Sequence, residues 1–123
     1  QNCLKKKKFP CSDGEQLRDF IYINDVIDIM FKSLKKKDSI GEIFNICSGK
    51  PTNIKDLINL IKNNVKSGKP QFGSIDLRKD EEKIFFGSLE KTKKFFRWEP
   101  KVNLKKGISK TIKYYENNFK KKV

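Results

Sequence analysis

The chain has 123 residues, of which 29 are Lys or Arg and 15 are Asp or Glu, so its formal net charge is +14. This length corresponds to about one domain with a modest core. No apolar run is long enough to cross a bilayer, which excludes a membrane span, and the basic N-terminus lacks the apolar stretch of a secretory signal. The chain does not begin with Met, as expected for a piece of a longer protein.

The first half of the chain alternates strand and helix patterns. Residues 18–23, RDFIYI, predict a short strand, because β-branched and aromatic side chains dominate them. Asn24 can cap a following helix that runs to about residue 36. The short apolar run at 42–46, EIFNI, predicts a second strand of the kind that is buried in a parallel sheet.

A second helix follows, and the pattern then becomes less regular. Thr52 or Asn53 can cap this helix, and Gly68 lies just past its end, as a C-terminal stop would. Residues 69–87 hold two short β-like runs around a charged stretch. Ser88 is expected to cap a short helix that ends near Phe96.

The last predicted element is a helix that Asn103 caps, after the WEP at 98–100 breaks the chain. The succession of strand, helix, strand and helix predicts an α/β fold and not a helix bundle. Trp98 is expected to be a packing residue of the core and not a platform for stacked bases.

Cysteine and histidine usage favours a reduced, cytoplasmic protein. The three cysteines, Cys3, Cys11 and Cys47, are odd in number and match no metal-ligand spacing, and histidine is absent. We therefore expect no metal site.

The positive charge makes nucleic-acid binding one hypothesis, because basic patches neutralise phosphates. However, 26 of the basic residues are Lys and Ala is absent, which indicates the codon bias of an AT-rich genome. Nucleic acid is therefore not expected as the main partner. The same bias singles out Arg18, Arg78 and Arg97, because arginine offers a planar fork for phosphate or carboxylate that lysine lacks.

Three segments carry a family resemblance. They are GEQLRDFIYINDVIDIM at 14–30, GEIFNICSGKPTNIKDLINLI at 41–61, and FGSIDLRKDEEKIFFGSLEKTKKFFRWEPKVNLKKGISKTIKYY at 72–115. Together they resemble the C-terminal part of the extended short-chain dehydrogenases/reductases, the NAD(P)-dependent sugar-nucleotide epimerases, dehydratases and reductases. The resemblance covers roughly residues 9–117. The FGSIDLRKDE segment further resembles the branch of deoxyhexose reductases and CDP-abequose-type synthases.

The resemblance implies two diphosphate-binding residues. Arg18 in the RDF motif and Arg78 in the DLRKDE loop would both contact the diphosphate of a nucleotide-sugar, with charge-assisted bonds of about 1.5–3 kcal/mol each. Asp19 would fix the strand end. Without the resemblance, an internal salt-bridge network of Arg18 and Asp19 is the simpler interpretation.

Two further residues fall in the implied substrate pocket. Gln16 lies two residues before Arg18, where a solvated loop amide is an equally good interpretation. Glu81 follows the arginine loop, where the family often has an acidic residue, and its alternative is a surface carboxylate among lysines. Arg97 stands where the family usually has a glycine before the tryptophan, which puts the end of the preceding helix in doubt and leaves Arg97 facing solvent.

Catalytic and cofactor residues are not found in this chain. The dinucleotide fingerprint of spaced glycines is absent, and no tyrosine is followed four residues later by lysine, so the family's catalytic pair is missing. We therefore expect NAD or NADP to be bound only in the full-length enzyme and not by this chain.

The sequence therefore predicts an N-terminal extension at 1–13 and a substrate-binding C-terminal domain at 14–123. The resemblance places its βαβα segment at the edge of a Rossmann-like sheet, beside a small α+β substrate lobe. Its substrate would be a nucleoside-diphosphate sugar, used in deoxysugar or surface-polysaccharide synthesis. Without its cofactor half the chain would expose apolar faces, so a homo-oligomer is expected. The alternatives are a stand-alone, non-catalytic binding or self-associating module and a basic nucleic-acid-binding domain.

Overall fold

A computed structural model of the chain describes residues 1–120, so the last three residues of the predicted domain at 14–123 lie outside the described part. The described strands are all short: β1 (Lys8–Pro10), β2 (Leu17–Asp19), β3 (Pro51–Asn53), β4 (Lys69–Gln71) and β5 (Ile84–Phe85). The helices are α1 (Ile23–Leu34), α2 (Ile54–Val65), α3 (Glu90–Phe96) and α4 (Leu104–Lys120). A 3₁₀ turn at Lys37–Ser39 follows α1.

The strands form two small sheets. In one sheet β1 pairs in parallel with β4. In the other, β2 is central, antiparallel to β3 and parallel to β5. Helices α2 and α4 pack against each other. The α/β class expected from the sequence is confirmed, and β2 places Arg18 in the middle of the larger sheet.

The first strand is shorter than predicted. The run at 18–23 forms a strand only through Asp19, and α1 already begins at Ile23. Strand β2 stops where its neighbours stop, because β3 has only three residues and β5 only two. Asn24 therefore lies inside the first turn and is not the cap. Tyr22 holds the N-cap position without a side-chain hydrogen bond.

The predicted strand at 42–46 is not formed. These residues have no secondary structure, and Ile43 in their midst is 85% exposed. A strand requires a hydrogen-bonded neighbour, and no described strand pairs with this segment. The apolar pattern was that of a buried strand, but only Phe44 is partly covered, by the rings of Phe95 and Phe96 at centroid distances of 4.8 Å.

The second helix begins as predicted but ends differently. Asn53 is the N-cap, and its side chain accepts a hydrogen bond from the backbone N–H of Lys55 at 2.9 Å. At the other end the C-cap is Lys66, in the left-handed conformation with φ of 55°. Gly68, two residues further on, also has a positive φ of 96°, and a Cβ there would lie 2.7 Å from the Cys3 sulfur.

The last two helices largely follow the prediction. Helix α3 ends at Phe96 as predicted, but its N-cap position is held by Leu89, without a side-chain cap, and not by Ser88. The Ser88 hydroxyl accepts from the backbone N–H of Glu90 at 3.4 Å. Asn103 caps α4 by accepting from the Lys106 N–H at 2.9 Å. Arg97 is exposed and takes the left-handed conformation, with φ of 47°, that glycine adopts more easily.

The N-terminal segment at 1–13, expected as an extension, is packed onto the rest of the chain. It contributes β1 and two buried cysteines, Cys3 and Cys11. The Cys11 N–H donates to the Gln71 carbonyl at 3.0 Å, which continues the pairing of β1 with β4. The segment therefore belongs to the same folded unit as the residues that follow it.

Candidate functional site

The guanidinium group of Arg18 is hydrogen-bonded to the segment that leads into β5. Its side chain is 22% exposed. One guanidinium nitrogen, Nη1, donates to the carbonyl oxygens of Leu17 at 2.9 Å and Lys83 at 3.4 Å. The other, Nη2, donates to the Glu82 carbonyl at 2.7 Å and to Glu81 Oε1 at 3.0 Å. The guanidinium therefore ties β2 to the charged loop.

Arg78 lies in that loop and is exposed. Its carbonyl accepts from the Glu81 N–H at 3.0 Å, so residues 78–81 form a tight turn. Its side chain lines an open surface hollow with Asp80, Glu81 and Glu82. Its guanidinium forms no ion pair among the described residues, although the other three lining residues carry carboxylates.

The structure connects the two arginines through Glu81. The Glu81 carboxylate touches Arg18, and its backbone closes the turn that begins at Arg78. The two guanidinium groups nevertheless line separate hollows, since Arg18 faces one that also contains Asn45 and Phe86. Their joint contact with a diphosphate remains a prediction.

Gln16 is nearly buried, with 5% of its surface exposed. Its Nε2 donates to the Ser12 hydroxyl at 3.1 Å, and its backbone carbonyl accepts from the Ile54 N–H at 3.0 Å. Its Oε1 has no hydrogen-bond partner in the described structure. Gln16 is therefore not a solvated loop amide, and its place in a substrate pocket remains a prediction.

Asp19 binds the loop at residues 48–49, which follows the unpaired segment at 42–46. Its two carboxylate oxygens accept from the backbone N–H groups of Ser48 at 2.6 Å and Gly49 at 2.8 Å. This agrees with the structural role expected for it, although its partners are backbone groups and not Arg18. Burial, and then the neighbouring Asp19 charge, raises the pKa of the Cys47 thiol. Cys47 is thus a protonated thiol at neutral pH and a poor nucleophile.

Two aspartates of α1, which sequence reasoning missed, hold the segment between α3 and α4. Asp25 is buried and accepts from the Val102 N–H at 3.0 Å. Asp28 accepts from the indole N–H of Trp98 at 2.8 Å. Trp98 is itself buried, which confirms its expected packing role. The signal in the sequence was that Asp25 shares a helix face with the apolar Ile29, four residues on.

The segment held in this way borders a cavity of about 320 Å³. Its wall includes Phe20, Ser48, Lys50 and Leu104. At its rim Lys93 donates to the Glu99 carboxylate at 2.7 Å, and this hydrogen bond and charge lower the pKa of Glu99. The cavity thus has a mixed apolar and charged lining.

Two kinds of site are not found within residues 1–120. No three His, Cys, Asp or Glu side chains in that range are grouped so as to hold a metal ion. No helix in the same range has both the length and the apolarity to cross a membrane.

Comparison with known proteins connects the chain to one family. The profile of the NAD dependent epimerase/dehydratase family matches residues 1–47. The chain is 30% identical to CDP-abequose synthase of Salmonella typhimurium over an alignment of 119 residues that covers 91% of this chain and 40% of that protein. It is 35% identical to human dTDP-D-glucose 4,6-dehydratase over an alignment of 112 residues that covers 86% of this chain and 31% of that protein.

A solved structure gives the same result for the fold. The UDP-glucose 4-epimerase of Thermotoga maritima, determined with UDP-glucose, superposes with a TM-score of 0.87 at 28% identity. The superposition covers 96% of this chain and 38% of that protein. The chain therefore spans two fifths or less of the relatives it matches.

Proposed function

Because the chain belongs to the extended short-chain dehydrogenase/reductase family of NAD-dependent epimerases and dehydratases, we propose that it is the nucleotide-sugar-binding part of such an enzyme. The observation that carries the proposal is that nearly the whole chain is similar to proteins whose names describe enzymes of nucleotide-sugars. The proposed setting is the cytoplasm, in the synthesis of deoxysugar or surface-polysaccharide precursors. The substrate-binding domain would extend over 14–123.

The proposed ligand contact is the diphosphate, held by Arg18 and Arg78. Arg78 is exposed and carries no ion pair among the described residues, so binding of a phosphate by its guanidinium group would break no such pair. Arg18 must exchange one partner, Glu81. That ion pair is partly exposed, at 22% and 32% for the two side chains, and such pairs contribute only about 0–1 kcal/mol. A doubly charged diphosphate can therefore replace the Glu81 carboxylate at small cost.

Gln16 and Glu81 complete the proposed pocket. Once displaced from Arg18, the Glu81 carboxylate would accept hydrogen bonds from hydroxyl groups of the ligand, which carboxylates do well. The Gln16 Oε1 is buried without a partner and would be a further acceptor for the ligand.

The described residues do not fit a dinucleotide cofactor. Binding of its pyrophosphate needs a helix that starts directly from a turn with three spaced glycines. Helix α1 follows Tyr22, α2 follows Asn53, and α4 follows Asn103, while α3 has the single Gly87 three residues before its start. We therefore expect NAD or NADP, and the hydride transfer it supplies, to be held by a part of the enzyme other than these residues.

An exposed apolar face supports the further proposal of self-association. The α1 side chains on this face are all more than two fifths exposed: Ile23, Ile27, Met30, Phe31 and Leu34. They recur at the spacing of a single helix face. The unpaired segment adds Ile43. Monomeric proteins rarely leave so much contiguous apolar surface in water, so we expect a second copy to cover it in the isolated chain.

Calorimetric titration with UDP, CDP and dTDP tests the ligand class. We expect binding of at least one nucleoside diphosphate, and binding weakened about 10- to 150-fold by Arg78→Ala, the loss of a charge-assisted contact. The matched control is Arg97→Ala, which removes an exposed arginine at the end of α3 and should leave affinity unchanged. Equal weakening by both variants would show an effect of net charge alone and overturn the proposal.

A further inference from the structure

A second anion site is suggested by lysines at the end of α2, on elements other than those that carry Arg18 and Arg78. A surface hollow there is lined by Lys6, Lys62, Lys66 and Lys69, together with Asn63, Ser67 and Gly68. We call it the lysine hollow. Two parts of the chain form it: the N-terminal turn with Lys6, and the continuous stretch from the last turn of α2 to the first residue of β4.

No acidic residue lines the lysine hollow. Elsewhere in the described structure, lysines such as Lys91 and Lys93 form ion pairs with glutamates at 2.6 and 2.7 Å. The four lysines of the hollow form none among the described residues. Four lysines without a carboxylate partner among the described residues thus line one concave surface.

Pairing of the strands brings further like charge to the same place. In the parallel sheet Lys8 is the register partner of Lys69, and the Lys69 N–H donates to the Lys7 carbonyl at 3.0 Å. Like charges at paired positions of a sheet destabilise it. The fold thus accepts repulsion at this site that a bound anion would relieve.

The end of α2 does not require these lysines. Cationic side chains near a helix C-terminus often compensate its free carbonyl groups. Here the Lys62 carbonyl already accepts from the backbone N–H groups of both Lys66 and Ser67. Satisfaction of the Lys62 carbonyl thus does not depend on a lysine side chain. Two of the lysines, Lys6 and Lys66, also have φ of 55°, which glycine would adopt at lower cost.

We propose that the lysine hollow binds a compact, multiply charged phosphate anion, with two or more phosphate groups close together. Lysine ammonium groups bind phosphate as point charges, without the geometry that a planar guanidinium imposes. The hollow contains no arginine and no aromatic ring, which stacking on a nucleobase would need. The observations therefore favour a free oligophosphate over single-stranded nucleic acid.

The test measures thermal unfolding and calorimetric binding with sodium tripolyphosphate at constant ionic strength. The test variant is Lys66→Gln with Lys69→Gln. The control variant, Lys105→Gln with Lys113→Gln, removes the same charge from exposed positions of α4. Tripolyphosphate should raise the Tm of the wild type and of the control, because a ligand that binds only the folded state stabilises it. The hollow variant should bind at least about tenfold more weakly, the loss expected for one charge-assisted contact.

A further variant separates this site from the arginines. Arg78→Ala should retain the full tripolyphosphate effect. The hollow variant should also be at least as stable as the wild type without anion, because it removes the repulsion between Lys8 and Lys69. Equal losses in hollow and control variants would overturn the proposal, and so would a tripolyphosphate effect that depends on Arg78. The proposal would also be overturned if duplex RNA bound in a way that depends on Lys66 and Lys69 while tripolyphosphate did not bind.

Discussion

The guanidinium of Arg18 and the carboxylate of Glu81 lie 3.0 Å apart and join β2 to the loop that contains Arg78. The same guanidinium also donates to the carbonyl oxygens of Glu82 and Lys83. Arg18 is therefore both a structural tie and the proposed ligand contact. Arg78 has only the second role. This difference separates the effects of the two residues on stability.

Removal of Arg18 should destabilise the fold more than removal of Arg78. Arg18→Ala leaves two loop carbonyls and Glu81 without their donor, and we expect a loss of about 1–3 kcal/mol in the free energy of unfolding. Arg78→Ala removes an exposed side chain without an ion pair in the described structure, so it should change the free energy of unfolding by less than about 0.5 kcal/mol. Urea denaturation of both variants measures this. Equal losses would refute the structural tie.

Lysine should replace the arginines only in part. Arg18→Lys and Arg78→Lys keep the positive charge but lose the planar fork that contacts two phosphate oxygens. We expect nucleoside diphosphate affinity between that of the wild type and that of the alanine variants. Calorimetric titration at a fixed salt concentration gives the comparison. Full recovery with lysine would mean that charge alone matters at the proposed site.

Replacement of Arg97 by glycine should stabilise the protein. Arg97 ends α3 with φ of 47°, where a Cβ atom is unfavourable. Arg97→Gly should raise the free energy of unfolding by about 0.5–1 kcal/mol. The control, Lys94→Gly inside α3, should lower it by about 1 kcal/mol. Thermal unfolding of the pair gives opposite shifts in Tm if the left-handed end of α3 is formed in solution.

Asp25 should be important for stability although it is not part of the proposed diphosphate site. It is 4% exposed and binds the N–H of Val102, so Asp25→Ala buries an unpaired donor. We expect a loss of about 1–3 kcal/mol. Asp38→Ala, at an exposed position of the 3₁₀ turn, is the comparison and should be nearly neutral. A similar small effect of both changes would contradict the buried contact.

Charges placed on the exposed face of α1 should prevent self-association. We expect the chain to sediment as a dimer or larger species, and Met30→Glu with Phe31→Glu to yield monomer. Both side chains are more than half exposed, so the folded chain loses little packing. Glu116→Gln, on the exposed side of α4, serves as a substitution that leaves the apolar face intact. A wild-type chain that is already monomeric at high concentration would refute the proposed contact.

Local signals predicted the helices better than the strands. Asn53 and Asn103 cap α2 and α4 as expected, because a side-chain cap depends only on residues a few positions away. The strand at 42–46 failed because an apolar pattern describes burial, whereas a strand also requires a hydrogen-bonded neighbour, which residues 1–120 do not supply.

The candidate site was predictable only in part. The scarcity of arginine in a lysine-rich chain drew attention to Arg18 and Arg78. The actual partners of Arg18, the Glu82 and Lys83 carbonyls, lie more than 60 positions away in the sequence and have no sequence signature. The contacts of Asp25 and Asp28 with Val102 and Trp98 are equally distant. Such pairs are set by tertiary packing.

The pairing of β2 with β5 also determines when the fold can form. Leu17 pairs with Ile84, and in the smaller sheet Lys8 pairs with Lys69, so both sheets join residues about 60 to 70 positions apart. Neither can close on a ribosome until most of this sequence has emerged. Each closure also costs the entropy of a long loop before any contact repays it. The chain should therefore acquire its helices early and its sheets late, with β2 held open until the strand that follows the arginine loop has been made.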